Sequence, residues 1–118
     1  MKIIIPGELP DLNEIIRVSK LHYGAYSTMK RKYTKIVAIH SMNLPKIKKG
    51  DFVIRWYSKN RRKDPDNIAG GGTKILLDGL IDAGILENDG WNQVNSITHL
   101  FEVDKNNPRT EVVIYESK

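Results

Sequence analysis

The sequence predicts an α+β fold in a single domain, a mixed β-sheet of about four strands with two main helices packed on it. Three observations predict this fold. A chain of 118 residues has room for one hydrophobic core, so residues 1–118 are expected to form one domain. Apolar residues alternate with a period of two in some segments and recur every three to four residues in others. The resulting element order, β-α-β-α-β-β, combines crossover connections with one hairpin, which is typical of a mixed sheet.

The first half of the chain contains one predicted strand and one predicted helix. Residues 3–5 are isoleucines followed by a proline and a glycine, which predicts a short strand. Residues 10–20 are predicted to be irregular. Residues 26–42 are predicted to form an amphipathic helix, with Ser27 or Thr28 as its cap. The residues at helical spacing on its packed face are Met29, Tyr33, Ile36, Val37 and His40.

The second half contains three predicted strands and the second helix. Residues 51–57 alternate large apolar side chains with other residues and are predicted to form a strand. A polar loop precedes a helix that is predicted to run to about Ala83 and to stop at Gly84. Residues 94–103 and 110–115 are predicted to be two consecutive strands that pair as a hairpin.

Charge is distributed unevenly along this basic chain, whose formal net charge is +5. Residues 30–63 contain twelve basic residues and one acidic residue, whereas residues 64–104 contain eight acidic residues and one basic residue. A basic surface beside grouped carboxylates suits a metal-dependent enzyme that acts on nucleic acid. It equally suits an internal balance of solvated charges, and composition alone does not choose between the two.

Several classes of protein are excluded or disfavoured by what the sequence lacks. The chain has no cysteine, which excludes disulfides, thiolate zinc sites and cysteine nucleophiles. No apolar run approaches the length of a membrane span, and the N-terminal apolar stretch is shorter than the core of a signal peptide. We therefore expect a cytoplasmic protein with no membrane partner.

The segment before the second predicted helix contains two carboxylates, Asp64 and Asp66, separated by Pro65. Pro65 favours an extended backbone at Asp64, so both carboxylates could face one hard cation. The alternative is ordinary turn and cap chemistry, with Asp66 or Asn67 capping the helix. Spacing alone leaves both interpretations open.

Three glycines, Gly70, Gly71 and Gly72, precede Thr73 and Lys74 in the second helix. The order of threonine and lysine does not match a phosphate-binding loop, so no nucleotide cofactor is expected. Each glycine is expected to weaken the first turns of the helix by about 1 kcal/mol relative to alanine. Further along, Asp78 lies one turn after Lys74 and could form an intrahelical ion pair, and Asp89 lies in an Asn-Asp-Gly turn.

Three ordered motifs together resemble the RusA family of Holliday junction resolvases. The first is a basic run that leads into Asp-Pro-Asp-Asn, the second is a helix with Lys-x-x-x-Asp-x-Leu, and the third is a turn that ends in Asn-Asp-Gly. The resemblance covers residues 51–116 well, and residues 9–13 more loosely. The motifs are Arg61-Arg62-Lys63-Asp64-Pro65-Asp66-Asn67, Lys74-Ile75-Leu76-Leu77-Asp78-Gly79-Leu80 and Ala83-Gly84-Ile85-Leu86-Glu87-Asn88-Asp89-Gly90.

The resemblance implies a metal-dependent endodeoxyribonuclease that nicks four-way DNA junctions symmetrically as a homodimer, in recombination and repair. It implies that Asp64, Asp66 and Asp89 bind Mg²⁺ or Mn²⁺ and that Lys74 acts beside them in the catalytic site. Asn67 and Asp78 are implied as supporting residues. Small resolvases of this kind often belong to phages or prophages.

Basic residues near these motifs are predicted to bind the phosphates of branched DNA without sequence preference. The predicted DNA-binding residues are Lys59, Arg61, Arg62, Lys63, Lys30, Arg31 and Lys35. Two alternatives remain, a non-catalytic basic DNA-binding module and a general nuclease for flaps or forks.

Overall fold

The computed structural model describes residues 1–118 and confirms the predicted α+β class, with a third helix added. Four strands form one mixed sheet in the order β1-β4-β2-β3. The elements in chain order are β1 (Lys2–Pro6), α1 (Leu12–Ser19), α2 (Ala25–His40), β2 (Gly50–Ser58), α3 (Pro65–Asp82), β3 (Val94–Val103) and β4 (Arg109–Glu116).

Strand β2 lies inside the sheet, between β3 and β4, and buries its alternating apolar residues on one face. Phe52, Ile54 and Trp56 are buried on one face, whereas the residues between them are only partly buried. β2 pairs in parallel with β3, where Ile54 lies opposite His99, and antiparallel with β4, where it lies opposite Val112. Both edges of β2 are thereby hydrogen-bonded.

The predicted hairpin between the last two strands is wrong, because β2 lies between β3 and β4. The connection at residues 104–108 passes over the end of β2, where the Asp104 backbone N–H donates to the Ser58 carbonyl at 2.8 Å. The physical reason is burial. β4 buries Val112 and Ile114, whereas β3 is largely exposed, so the sheet excludes more apolar surface from water with β3 at its edge.

The prediction of irregular structure at residues 10–20 is also wrong, because Leu12–Ser19 form α1. The buried Asp11 caps this helix, and its carboxylate accepts a hydrogen bond from the Glu14 backbone N–H at 2.8 Å. The Asp-x-x-Glu spacing is the local signal for this start. α2 begins after Gly24 with no side-chain cap, so neither Ser27 nor Thr28 has the predicted capping role.

The hydrophobic core lies between one face of the sheet and the helices, and α3 contributes most of the helical side of it. Ile75, Leu76 and Leu80 are fully buried against the buried faces of β1, β2 and β4. The other face of the sheet carries ion pairs, among them Lys2 with Glu111 at 2.9 Å. The fold is thus one layer of helices on one sheet.

The glycines of α3 allow its close approach to neighbouring elements. A Cβ at Gly71 would lie 2.5 Å from the Leu12 backbone nitrogen, and one at Gly72 would lie 2.5 Å from the Trp56 ring. These distances are much shorter than the van der Waals contact distance between two such atoms. The glycines that lower the helix propensity of α3 are therefore the residues that let it pack against the start of α1 and against β2.

We predict opposite effects of alanine at two adjacent glycines. Gly71→Ala should lower the free energy of unfolding by about 1–3 kcal/mol, because its Cβ would meet rigid backbone. Gly70→Ala is the matched control. Its Cβ would contact Leu12 Cδ2 at an ordinary 3.6 Å, so helix propensity should raise the stability by up to about 1 kcal/mol. Urea unfolding followed by circular dichroism measures both, and equal effects would contradict the close approach.

Candidate functional site

The start of α3 holds two exposed carboxylates, those of Asp64 and Asp66. Asp64 has extended backbone, with φ −74° and ψ 145°, and its carbonyl accepts the first helical hydrogen bonds. Its carboxylate makes no capping bond, and Asp66 accepts only from the adjacent Asn67 N–H at 3.0 Å. Because α3 begins at Pro65, neither Asp66 nor Asn67 is the helix cap. Neither carboxylate forms an ion pair, so both have free oxygen atoms.

The middle of α3 holds a second group of charges around Lys74. The Lys74 ammonium donates to the Asp89 carboxylate at 2.8 Å and lies 3.1 Å from the Asp78 carboxylate. Asp78 also pairs with Lys30 of α2 at 2.9 Å. We call these four residues the ion-pair chain. It joins α2, α3 and the loop that follows α3.

The backbone after α3 returns Asp89 to the side of Lys74. Gly84 has a φ of 80°, which confirms the predicted helix stop, and the N–H groups of Ile85 and Leu86 both donate to the Leu80 carbonyl. Ile85 and Leu86 are buried and anchor the loop in the core. Asp89 is therefore positioned by the core beneath it.

Hydrogen bonds within the ion-pair chain shift the pKa values of two of its members, Lys74 and Asp78. The hydrogen bond to Asp89, followed by the one to Asp78, raises the pKa of Lys74. Burial acts to raise the pKa of Asp78, but the hydrogen bonds from Lys30 and Lys74 outweigh it, and the pKa lies below its ordinary value. Near neutral pH both Lys74 and Asp78 are thus held in their charged forms.

The three carboxylates implied as metal ligands are not gathered at one point in this structure. Asp66 and Lys74 are eight residues apart, about 12 Å along the helix axis, and Asp89 is paired with Lys74. No group of three His, Asp or Glu side chains is close enough to share an ion. Carboxylate oxygens are ligands that a hard divalent cation prefers. In this structure, however, the positive charge next to Asp89 is the ammonium group of Lys74.

The predicted DNA-binding residues lie toward both ends of α3. Four lie in the loop that leads into it, next to Asp64, and form no ion pair: Lys59, Arg61, Arg62 and Lys63. Arg31 and Lys35 are exposed on α2 and line a cavity with Asp82 at the far end of α3. Since α3 has 18 residues, its two ends are about 27 Å apart. Basic side chains therefore bracket the ion-pair chain.

Lys30 differs from the other predicted DNA-binding residues because it is half-buried against Asp78. Its positive charge is already paired, so its role in the structure is to hold Asp78 beside Lys74. Sequence spacing could not have identified this role, because Lys30 and Asp78 lie on different helices and meet only through tertiary packing.

Comparison of the chain with known protein families and with curated proteins finds no match. None of the three helices combines the length and the hydropathy that crossing a membrane requires.

We predict that Asp78→Asn destabilises the protein in a pH-dependent way. It removes the shared acceptor of Lys30 and Lys74, which should cost about 1 kcal/mol near neutral pH. Because the folded pKa of Asp78 is depressed, its stabilisation is present above the ordinary value of 3.8 and is lost as the pH falls through the folded pKa. Wild type and variant should therefore converge in acid.

The control for this prediction is Asp82→Asn, at an exposed carboxylate on the same helix with no ion pair. It should change the unfolding free energy by less than about 0.5 kcal/mol at any pH. Thermal or urea unfolding from neutral pH to about pH 3 measures both variants. If the unfolding free energy of Asp78→Asn stayed below that of the wild type by the same amount in acid, the stabilisation by Asp78 would not be ionic.

Proposed function

We propose that this protein is a metal-dependent endodeoxyribonuclease of the RusA type that nicks four-way DNA junctions, in the cytoplasm, during recombination and repair. The observation that carries the proposal is the 2.8 Å contact between Lys74 and Asp89. The resemblance assigns both residues to one site, although 15 positions separate them, and the fold brings them together. A basic loop that leads directly into Asp64 adds the cations that bind phosphates.

The metal ligands in this proposal are Asp64, Asp66 and Asp89, with Mg²⁺ or Mn²⁺ as the ion, although the three carboxylates do not lie close enough to share one ion in this structure. When bound, such an ion supplies an activated water and stabilises the negative charge of the transition state. Carboxylate oxygens are the ligands that these hard ions prefer. The exposure of Asp64 and Asp66, together with their lack of cationic partners, leaves both available for this role.

In this proposal the side chains around the carboxylates stabilise charge, position Lys74 and bind the DNA. Lys74 is held protonated by its carboxylate partners and places a positive charge where a scissile phosphate would approach Asp89. Asp78 positions Lys74 and is positioned in turn by Lys30. Arg61 and Arg62 bind flanking phosphates and orient the DNA strand without reading its sequence.

Symmetric cleavage of a junction needs two active sites, so we propose that the protein acts as a homodimer on branched DNA. Each copy contributes one Lys74 and one set of carboxylates and cuts one of two opposed strands. A non-catalytic DNA-binding module has one specific observation in its favour, namely that the charges around Lys74 already balance one another.

We predict that Asp66→Asn abolishes cleavage and preserves junction binding. The substitution removes one anionic ligand and leaves the basic loop intact, so cleavage with Mg²⁺ should fall by about 100-fold or more. Binding measured by gel shift without metal should be unchanged or slightly tighter, because one negative charge is lost.

The matched control is Glu87→Gln, at an exposed carboxylate in the Asp89 loop that forms no ion pair. It should cleave like the wild type. Cleavage by Asp66→Asn at the wild-type rate would remove Asp66 from the metal site, and binding without cleavage by the wild type would favour the non-catalytic module.

A further inference from the structure

The loop that carries Asp89 also carries the most exposed large aromatic side chain near the candidate site. Trp91 is 95% exposed, whereas the other tryptophan, Trp56, is 3% exposed. The N–H groups of Gln93 and Val94 both donate to the Gly90 carbonyl, so the backbone closes in a turn beneath Trp91. Its indole ring is therefore displayed on a hydrogen-bonded turn two residues after Asp89.

A second loop, residues 44–49, is hydrogen-bonded to the Asp89 loop and carries positive charge. The Ile47 N–H donates to the Ile85 carbonyl at 2.9 Å, and the Gly50 N–H donates to the Gln93 carbonyl at 3.0 Å. Lys46 and Lys48 of this second loop are exposed and form no ion pair. Two hydrogen-bonded loops thus carry an exposed aromatic ring and two ammonium groups that form no ion pair.

An exposed aromatic ring beside free ammonium groups is the combination that binds unpaired nucleotides. The ring stacks on the face of a base, and the cations neutralise the adjoining phosphates. In a paired duplex both faces of each base are covered by neighbours, so such a ring favours a nucleotide that has left the stack. An open cavity of about 300 Å³ between Trp91, Asp89 and Val94 provides room beside the ring.

We propose that Trp91 stacks on an unpaired base of branched DNA while Lys46 and Lys48 bind the phosphates on either side of it. The proposal rests on the proposed function, since it places this nucleotide next to Asp89, and it names the structural feature of DNA that the site selects. A base held on Trp91 would present its neighbouring phosphate to Asp89 and Lys74. Trp91 would then be a positioning and selectivity residue.

The test compares binding to a duplex that carries one unpaired thymidine with binding to the same duplex fully paired, in EDTA so that no cleavage occurs. Trp91→Ala should weaken binding to the unpaired-base duplex by about 5- to 100-fold and leave the paired duplex within about twofold. Trp91→Phe should retain part of the preference, because phenylalanine still stacks. Tyr23→Ala, at a fully exposed aromatic in the turn between α1 and α2, is the matched control and should change neither affinity.

Two further measurements use the same DNA probes. Tryptophan fluorescence should be quenched by the unpaired-base duplex in the wild type and far less in Trp91→Ala, since Trp56 is buried. Replacing both Lys46 and Lys48 by alanine should reduce the slope of log affinity against log salt by about two. The same change at Lys20 and Lys118, which are exposed and unpaired, should leave the slope unchanged.

Equal binding of both DNA probes by wild type and Trp91→Ala would overturn the proposal. A change from dimer to monomer in Trp91→Ala would also overturn it, because Trp91 would then belong to a protein interface. These outcomes are separable from failure of the proposed function. Junction cleavage with no effect of Trp91→Ala rejects this inference alone. Selective, Trp91-dependent binding without metal-dependent cleavage rejects the nuclease alone.

Discussion

Close packing of α3 without side chains at Gly71 and Gly72 is the constraint on which the rest of the structure depends. At these positions the helix backbone touches the start of α1 and the Trp56 ring, so its axis and rotation are set by contact between rigid groups. Gly79 makes a similar approach to Val37 of α2. With the rotation of α3 determined in this way, Ile75 and Leu76 point into the core and Lys74 points out toward the Asp89 loop.

The ion-pair chain follows from that placement and explains how lysine and aspartate can act together. Asp78 is mostly buried, so its charge needs partners, and it receives one from each of two helices. Lys74 is shared between Asp78 and Asp89, which raises its pKa and keeps it cationic. A cation fixed beside carboxylates on a basic surface is suited to phosphate chemistry, because it stabilises negative charge without having to reorganise.

The sequence predicted the features of the fold that depend on residues close together along the chain. The course of β2 follows from the alternation of Phe52, Ile54 and Trp56, and the end of α3 follows from Gly84. α1 is the exception, since its Asp-x-x-Glu start is a local signal that the prediction of irregular structure at residues 10–20 missed. Features that depend on tertiary packing, such as strand pairing, were not predictable in this way. The hairpin prediction for β3 and β4 failed because local sequence does not determine which strands pair. Likewise, the spacing of Lys74 and Asp78 predicted their ion pair, whereas Lys30 reaches Asp78 only through helix packing.

We propose that the residues around Lys74 and Asp89 cleave branched DNA with a divalent ion. The most direct test incubates the protein with a synthetic four-way junction and with linear duplex of the same sequence, each with and without Mg²⁺, and maps the products on denaturing gels. We predict paired nicks at symmetric positions in the junction, with Mg²⁺ only, and an intact duplex. No cleavage of the junction with Mg²⁺, or equal cutting of junction and duplex, would contradict the claim.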